Sequence, residues 1–109
     1  MKKIIMFAVV LGFTGALAAS AAEPKETWGA SCARCHGADG KGQTNMGKRL
    51  GAKDYSDPAV QAALTDEAAF KAIKEGFKDK DGKTVMRASE NLSDSDIKGL
   101  VTYLRTFKK

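Results

Sequence analysis

One histidine and two cysteines are all that 109 residues contain of the strongest metal-binding side chains. A four-ligand zinc site made of Cys and His alone is therefore excluded. So is any metal held between two imidazoles of the same chain. A Ser-His pair has little to draw on either, because Ser31, Ser56 and Ser89 lack a second histidine to partner them. Charge of one sign is also scarce. The formal charge is +5, or +3 once Lys2 and Lys3 are set aside with the leader described below. That balance is too weak and too evenly spread for a nucleic-acid surface. No repeat, no low-complexity run and no strand with convincing alternation is present. Apolar residues make up 43% of the chain, too many for a disordered one.

Long apolar runs are missing except at the start, where Ile4 to Leu17 is mostly apolar behind Lys2-Lys3. Ala19-Ser20-Ala21 and Ser20-Ala21-Ala22 both fit the small-x-small cleavage rule. The expectation is a cleaved secretory signal peptide at residues 1–22 and one domain over 23–109, exported to the periplasm. An uncleaved anchor is the alternative. The run is borderline in length for a bilayer, which takes about 20 residues. A domain this small buries a modest core and needs help from a metal, a disulfide or a cofactor.

The remaining chain reads as helices separated by loops. Pro24 suits a first helical position, and Trp28, Cys32 and Cys35 fall near one face of a helix over residues 24–35. Five glycines between 37 and 56 predict a long loop wrapped around something. Asp57-Pro58 opens a short helix to about Ala63. Thr65 caps the next helix, with Phe70 and Ile73 on its apolar stripe and Gly76 as its stop. Residues 79–82 form a charged turn, and 83–91 have no period. Ser93 and Asp96 then make a capping-box-like pair, and Leu92 with Ile97 a hydrophobic staple. Ile97, Leu100, Val101 and Leu104 follow helical spacing, with Tyr103 and Phe107 broadening that face. The fold class is all-α.

Cys32-Ala33-Arg34-Cys35-His36 has the C-x-x-C-H spacing that attaches a c-type haem. The two thiols add across the haem vinyl groups, and the next histidine lies under the iron as proximal ligand. Gly37 lets the backbone approach the porphyrin closely. A structural disulfide or a thioredoxin-like redox pair would use the same cysteines. Neither accounts for His36 or the glycine-rich segment, and the second needs a βαβ pattern that is absent. For the sixth position on iron, Met46 follows His36 too closely to cross to the other haem face. Met86 stands in the irregular stretch before the last helix, where a loop can pass over that face. A thioether favours reduced iron and raises the potential. An open site or a Lys ligand remains as the alternative.

Cys32-Ala33-Arg34-Cys35-His36-Gly37 behind an N-terminal helix, then Met86, then a C-terminal helix ending Leu100-Val101-Thr102-Tyr103-Leu104 resembles a class I, single-haem cytochrome c of the small bacterial type. The run Ala38-Asp39-Gly40-Lys41-Gly42 is similar to these cytochromes as well. The resemblance implies a small cytochrome c fold in which the N- and C-terminal helices cross, with Trp28 facing Leu100, Tyr103 and Leu104. It differs at three points: Gly47 is followed by Lys48 where the family often has Gly-Pro, Met86 by Arg87 where Pro is common, and a position near Pro24 is often Gly where the two terminal helices cross. The implied function is one-electron transfer between periplasmic or membrane-bound redox proteins by a monomer that is not an enzyme. A haem subunit docked on a larger oxidoreductase, or a small haem peroxidase or sensor with a labile sixth ligand, is the alternative. Lys48, Arg49, Lys78, Lys80, Lys83 and Arg87 lie in the two loops expected near the haem rim, where they could meet an acidic partner surface.

One intact-mass measurement tests both the leader and the attachment. The expected mass is a chain beginning at Ala22 or Glu23 plus one haem that denaturation does not remove. A haem-free chain carrying a Cys32–Cys35 disulfide would end the attachment reading.

Overall fold

A computed structural model describes residues 23–109. The expected leader and its cleavage site lie outside the described residues. Among the described residues no helix is long and apolar enough to cross a membrane.

The first helical run has three consecutive parts: α1 (Pro24–Thr27), a π-helical turn (Trp28–Cys32) and α2 (Ala33–His36). Pro24 occupies a first helical position as expected. The π turn is closed by the Ala33 amide, which bonds the Trp28 carbonyl. Such a one-turn widening is uncommon and tends to occur at functional sites. Here it falls directly on Cys32.

Four further helices follow: α3 (Asn45–Leu50), α4 (Pro58–Ala63), α5 (Asp66–Glu75) and α6 (Asp94–Arg105). The predicted caps are in place. Asp57 accepts from the Ala59 amide and Thr65 from the Ala68 amide. Ser93 and Asp96 close a full capping box. Gly76 ends α5 at φ +84°, a region that a residue with a Cβ rarely adopts.

The core lies where α1, the π turn and α5 meet α6. It consists of Trp28, Ala69, Ile73, Ile97, Leu100, Val101 and Leu104, all buried. The four α6 residues are the face expected from their spacing, and Leu92 packs against this cluster. Trp28 stacks within 5.9 Å of Tyr103 and 5.0 Å of Phe107, measured between ring centroids. The terminal helices therefore meet as expected. Pro24 lies close to Gly99, where an added Cβ would come within 3.2 Å of Pro24 Cγ.

The mostly helical fold is the one expected, and it carries in addition a short antiparallel hairpin in which β1 (Phe77–Lys78) and β2 (Thr84–Met86) pair Phe77 with Met86 and Lys78 with Thr84. Strands of two and three residues with a register shift between them are too short to show alternation. One expectation is corrected: the segment 37–56 is not all loop, since it contains α3. Gly47 and Gly51 masked that helix. Gly51 is its left-handed C-terminal stop. Gly47 is inside it for a different reason: a Cβ there would fall 2.1 Å from the Cys35 carbonyl oxygen and 2.6 Å from that of Gly42.

Gly47 separates helix propensity from packing. Propensity alone would make Gly47→Ala stabilising by about 1 kcal/mol. The overlap with two backbone carbonyls predicts the reverse, a net loss on the order of 1–3 kcal/mol, as for other overpacked sites. Thermal melting of the holoprotein checks the sign, and a raised melting temperature would show that α3 can shift away from Cys35.

Candidate haem site

The C-x-x-C-H residues lie on the last two turns of the first helical run. Cys32 closes the π turn, and Cys35 and His36 end α2. Both cysteines are free thiols, half-buried. Burial, and secondarily the nearby Cys35, push the Cys32 thiol up to about 11. While free it is thus a neutral S–H at physiological pH, not a thiolate poised for disulfide exchange. Burial also lowers the pKa of His36, which keeps its imidazole neutral and able to ligate.

The backbone of this turn is bonded at every carbonyl. The Ala33 oxygen accepts from the Gly37 amide at 2.8 Å, and the His36 oxygen from the Gly42 amide at 2.8 Å. The Trp28 indole N–H donates to the Gly37 oxygen at 2.8 Å in a buried bond. Thr44 Oγ1 lies 2.8 Å from the Arg34 oxygen and 3.0 Å from the Cys35 oxygen, so its one hydrogen serves both. The same Oγ1 accepts from the Gly47 amide, capping α3. Thr44 therefore ties α3 to the cysteine turn and sets the close approach that Gly47 allows. Nothing in the Cys motif pointed to Thr44. Its only sequence signal was that of a Thr standing where a helix could begin.

The His36 side chain sits among rings. Its centroid is 5.6 Å from Trp28 and 5.4 Å from Tyr55. Its Nδ1 is buried and has no hydrogen-bond partner. Burial, and then Cys32, raise the pKa of Tyr55, so its hydroxyl stays neutral. Tyr55 is a second residue that motif reading missed, because an isolated Tyr in a glycine-rich stretch carries no pattern. Next to it, the Ser56 side-chain and backbone hydrogen bonds hold the Asp54 carboxyl below its usual range.

Met86 ends β2, half-buried, and packs against the same apolar cluster as Cys32. The fold thus brings the pentapeptide and Met86 to one core from opposite ends of the sequence. Met46 is on α3, the helix fastened to the cysteine turn by Thr44. The six basic residues expected around the rim are all exposed. Lys78, Lys80 and Lys83 belong to the hairpin and its turn, and Lys48 and Arg49 to the end of α3.

These residues fit a haem. Two free thiols and a neutral, half-buried imidazole occupy consecutive helical turns, and the backbone beneath them is fixed. A soft thioether is packed on the same core.

None of the curated proteins matches the chain. Among solved structures, the chain is similar to the c-type cytochrome KustC0563, with 33% identity and a TM-score of 0.69. That match covers 80% of this chain and 99% of the other. A mutant of the same cytochrome matches at 32% identity and a TM-score of 0.66, over 79% of this chain and 99% of that one. The family described as cytochrome c oxidase, cbb3-type, subunit III matches residues 19–104. With that match spanning most of the sequence, and with the fold of a small cytochrome c, the chain belongs to this family of c-type cytochromes, haem proteins that carry electrons.

Proposed function

We propose that the protein is an exported one-electron carrier with one haem, attached through Cys32 and Cys35 and ligated axially by His36 and Met86. The observation that carries this reading is the cysteine turn itself, with every carbonyl from Ala33 to Gly37 hydrogen-bonded and His36 held neutral at its end. When bound, the haem supplies an iron that alternates between Fe(III) and Fe(II). The chain's own residues do the rest. Cys32 and Cys35 anchor the group, and the fixed turn beneath them keeps His36 in place. Little backbone movement is then needed when charge arrives or leaves, and such rigidity keeps reorganisation small. Met86 closes the sixth position with a soft ligand that favours Fe(II). A closed position leaves no place for a substrate, which is why a carrier fits better than a peroxidase or sensor.

The exposed Lys48 and Arg49 of α3, and Lys78, Lys80, Lys83 and Arg87 in and beside the hairpin, support docking to an acidic redox partner, with Asp79 and Asp81 interrupting the second group. The leader-like residues 1–22 support a periplasmic location. A second reading, a haem subunit seated on a larger oxidoreductase, draws on the family description, which names an oxidase subunit. Near-complete coverage of a small c-type cytochrome favours the free carrier, a monomer meeting periplasmic or membrane-bound partners in turn.

Met86→Ala discriminates carrier from enzyme. The variant should keep its haem through Cys32, Cys35 and His36, lose the Met-to-iron charge-transfer band and gain carbon monoxide binding. Its Fe(III)/Fe(II) equilibrium should move toward Fe(III) by at least about tenfold, roughly 60 mV for a one-electron couple. Met46→Ala should do none of this. The comparison belongs near neutral pH, where a Lys is protonated and competes poorly for iron. A wild type that already binds carbon monoxide, with Met86→Ala changing little, would replace the carrier with an enzyme or sensor.

A further inference from the structure

His36 has no polar anchor of its own, since its buried Nδ1 makes no hydrogen bond. A metal-bound histidine ordinarily holds its orientation by donating the other ring N–H to an acceptor. Here ring contacts take that place. Trp28 is tilted 40° to the imidazole and Tyr55 34°, each with its centroid within 5.6 Å.

The two rings are held in different ways. Trp28 belongs to the same helical run as His36, and its indole N–H is committed to Gly37. Tyr55 arrives from a separate segment and is fixed at both backbone ends. Its amide donates to the Gly40 oxygen at 2.8 Å. Its carbonyl accepts from Gln61 Nε2 at 2.7 Å. Gln61 is only 4% exposed, and Nε2 also donates to the Leu104 oxygen at 2.9 Å. Its Oε1 accepts from Arg105 Nη1 at 2.9 Å. Arg105 in turn bonds the Gln61 and Leu64 carbonyls and Asp66. A buried amide with both ends bonded cannot move without breaking several hydrogen bonds at once. The end of α6 is thereby tied to the backbone from which the Tyr55 ring projects.

We propose that Tyr55 is a positioning residue for His36, orienting the imidazole by ring contact while Gln61 of α4 ties the Tyr55 backbone to the C-terminal helix. The proposal rests on His36 being the proximal ligand. It requires the ring of Tyr55 and not the hydroxyl. The plane of an axial imidazole governs how the unpaired spin of Fe(III) spreads over the porphyrin, and haem-methyl proton shifts read that spread directly. Ligand orientation also bears on the potential.

The test compares holoprotein of the wild type, Tyr55→Phe, Tyr55→Leu and Gln61→Leu by proton NMR of the oxidised form, redox titration and thermal melting. Tyr55→Phe keeps the ring and should keep the wild-type haem-methyl pattern. Tyr55→Leu should change the order and spread of the methyl shifts and displace the Fe(III)/Fe(II) equilibrium by about threefold or more. Gln61→Leu should shift the methyls in the same sense by less. A merely structural Tyr55 would lower the melting temperature of Tyr55→Leu and leave the methyl pattern unchanged, and that result overturns the proposal. If Tyr55→Leu yields no holoprotein, Gln61→Leu decides by the same criterion. A wild type whose spectra lack the signals of an iron-bound imidazole would instead sink His36 as ligand, an outcome distinct from a normal wild type with an unresponsive Tyr55→Leu.

Discussion

The hydrogen bonding of the Ala33–Gly37 turn is the constraint from which the rest of the structure follows. A C-x-x-C-H segment needs its two sulfurs and its imidazole held in one fixed relation. The side chains of so short a segment cannot provide that alone. The chain meets the requirement by satisfying the backbone carbonyls from three directions: the Trp28 indole from one turn before, the Gly42 amide from the loop after, and the Thr44 hydroxyl from the start of α3. Each partner then imposes its own condition. Trp28 must be buried against α6, and Gly47 must lack a side chain so that α3 can lie against Cys35.

The second tie runs through Gln61. Its amide links Tyr55, beside His36, to the last turn of α6, where Arg105 completes the set. A buried amide left unsatisfied costs about 1–3 kcal/mol, so this group is kept only where its partners are fixed. The chain end adds to the same closure, with Phe107 against Trp28 and the Lys109 amide on the Ser56 carbonyl. First and last helices thus converge on the segment that carries the cysteines. A small domain with a modest apolar cluster gains from a large bound disc, since burial on folding falls short at this size.

Charge has a separate role from packing. Lys74 bridges Asp94 between α5 and α6, at positions exposed enough for the pair to contribute little. The basic residues of the hairpin and α3 make no such pairs among the ion pairs found in the described residues. Their free charge suits a transient partner, for which complementarity raises the encounter rate more than the affinity. Around His36 the opposite holds, with neutral rings and a neutral imidazole, so that the charge at stake belongs to the iron.

Much of the fold was legible in the residues. The caps Asp57, Thr65 and Ser93, the stop at Gly76 and the buried face of α6 follow from local chemistry, because a cap or an amphipathic stripe is written within one or two turns. Cys32, Cys35 and His36 were legible for the same reason: their spacing is a property of a few consecutive residues. What could not be read depended on distant partners. Gly47 looked like loop because its lack of a side chain answers to Cys35, a contact no local pattern encodes. The hairpin was too short to carry a period. Thr44, Tyr55 and Gln61 are ordinary polar or aromatic residues in sequence, and they acquire roles only where the chain folds back on itself. Local rules act through bonds between near neighbours and are visible in order of residues; the environment of His36 is made by residues far apart along the chain, and only tertiary packing decides which of them meet.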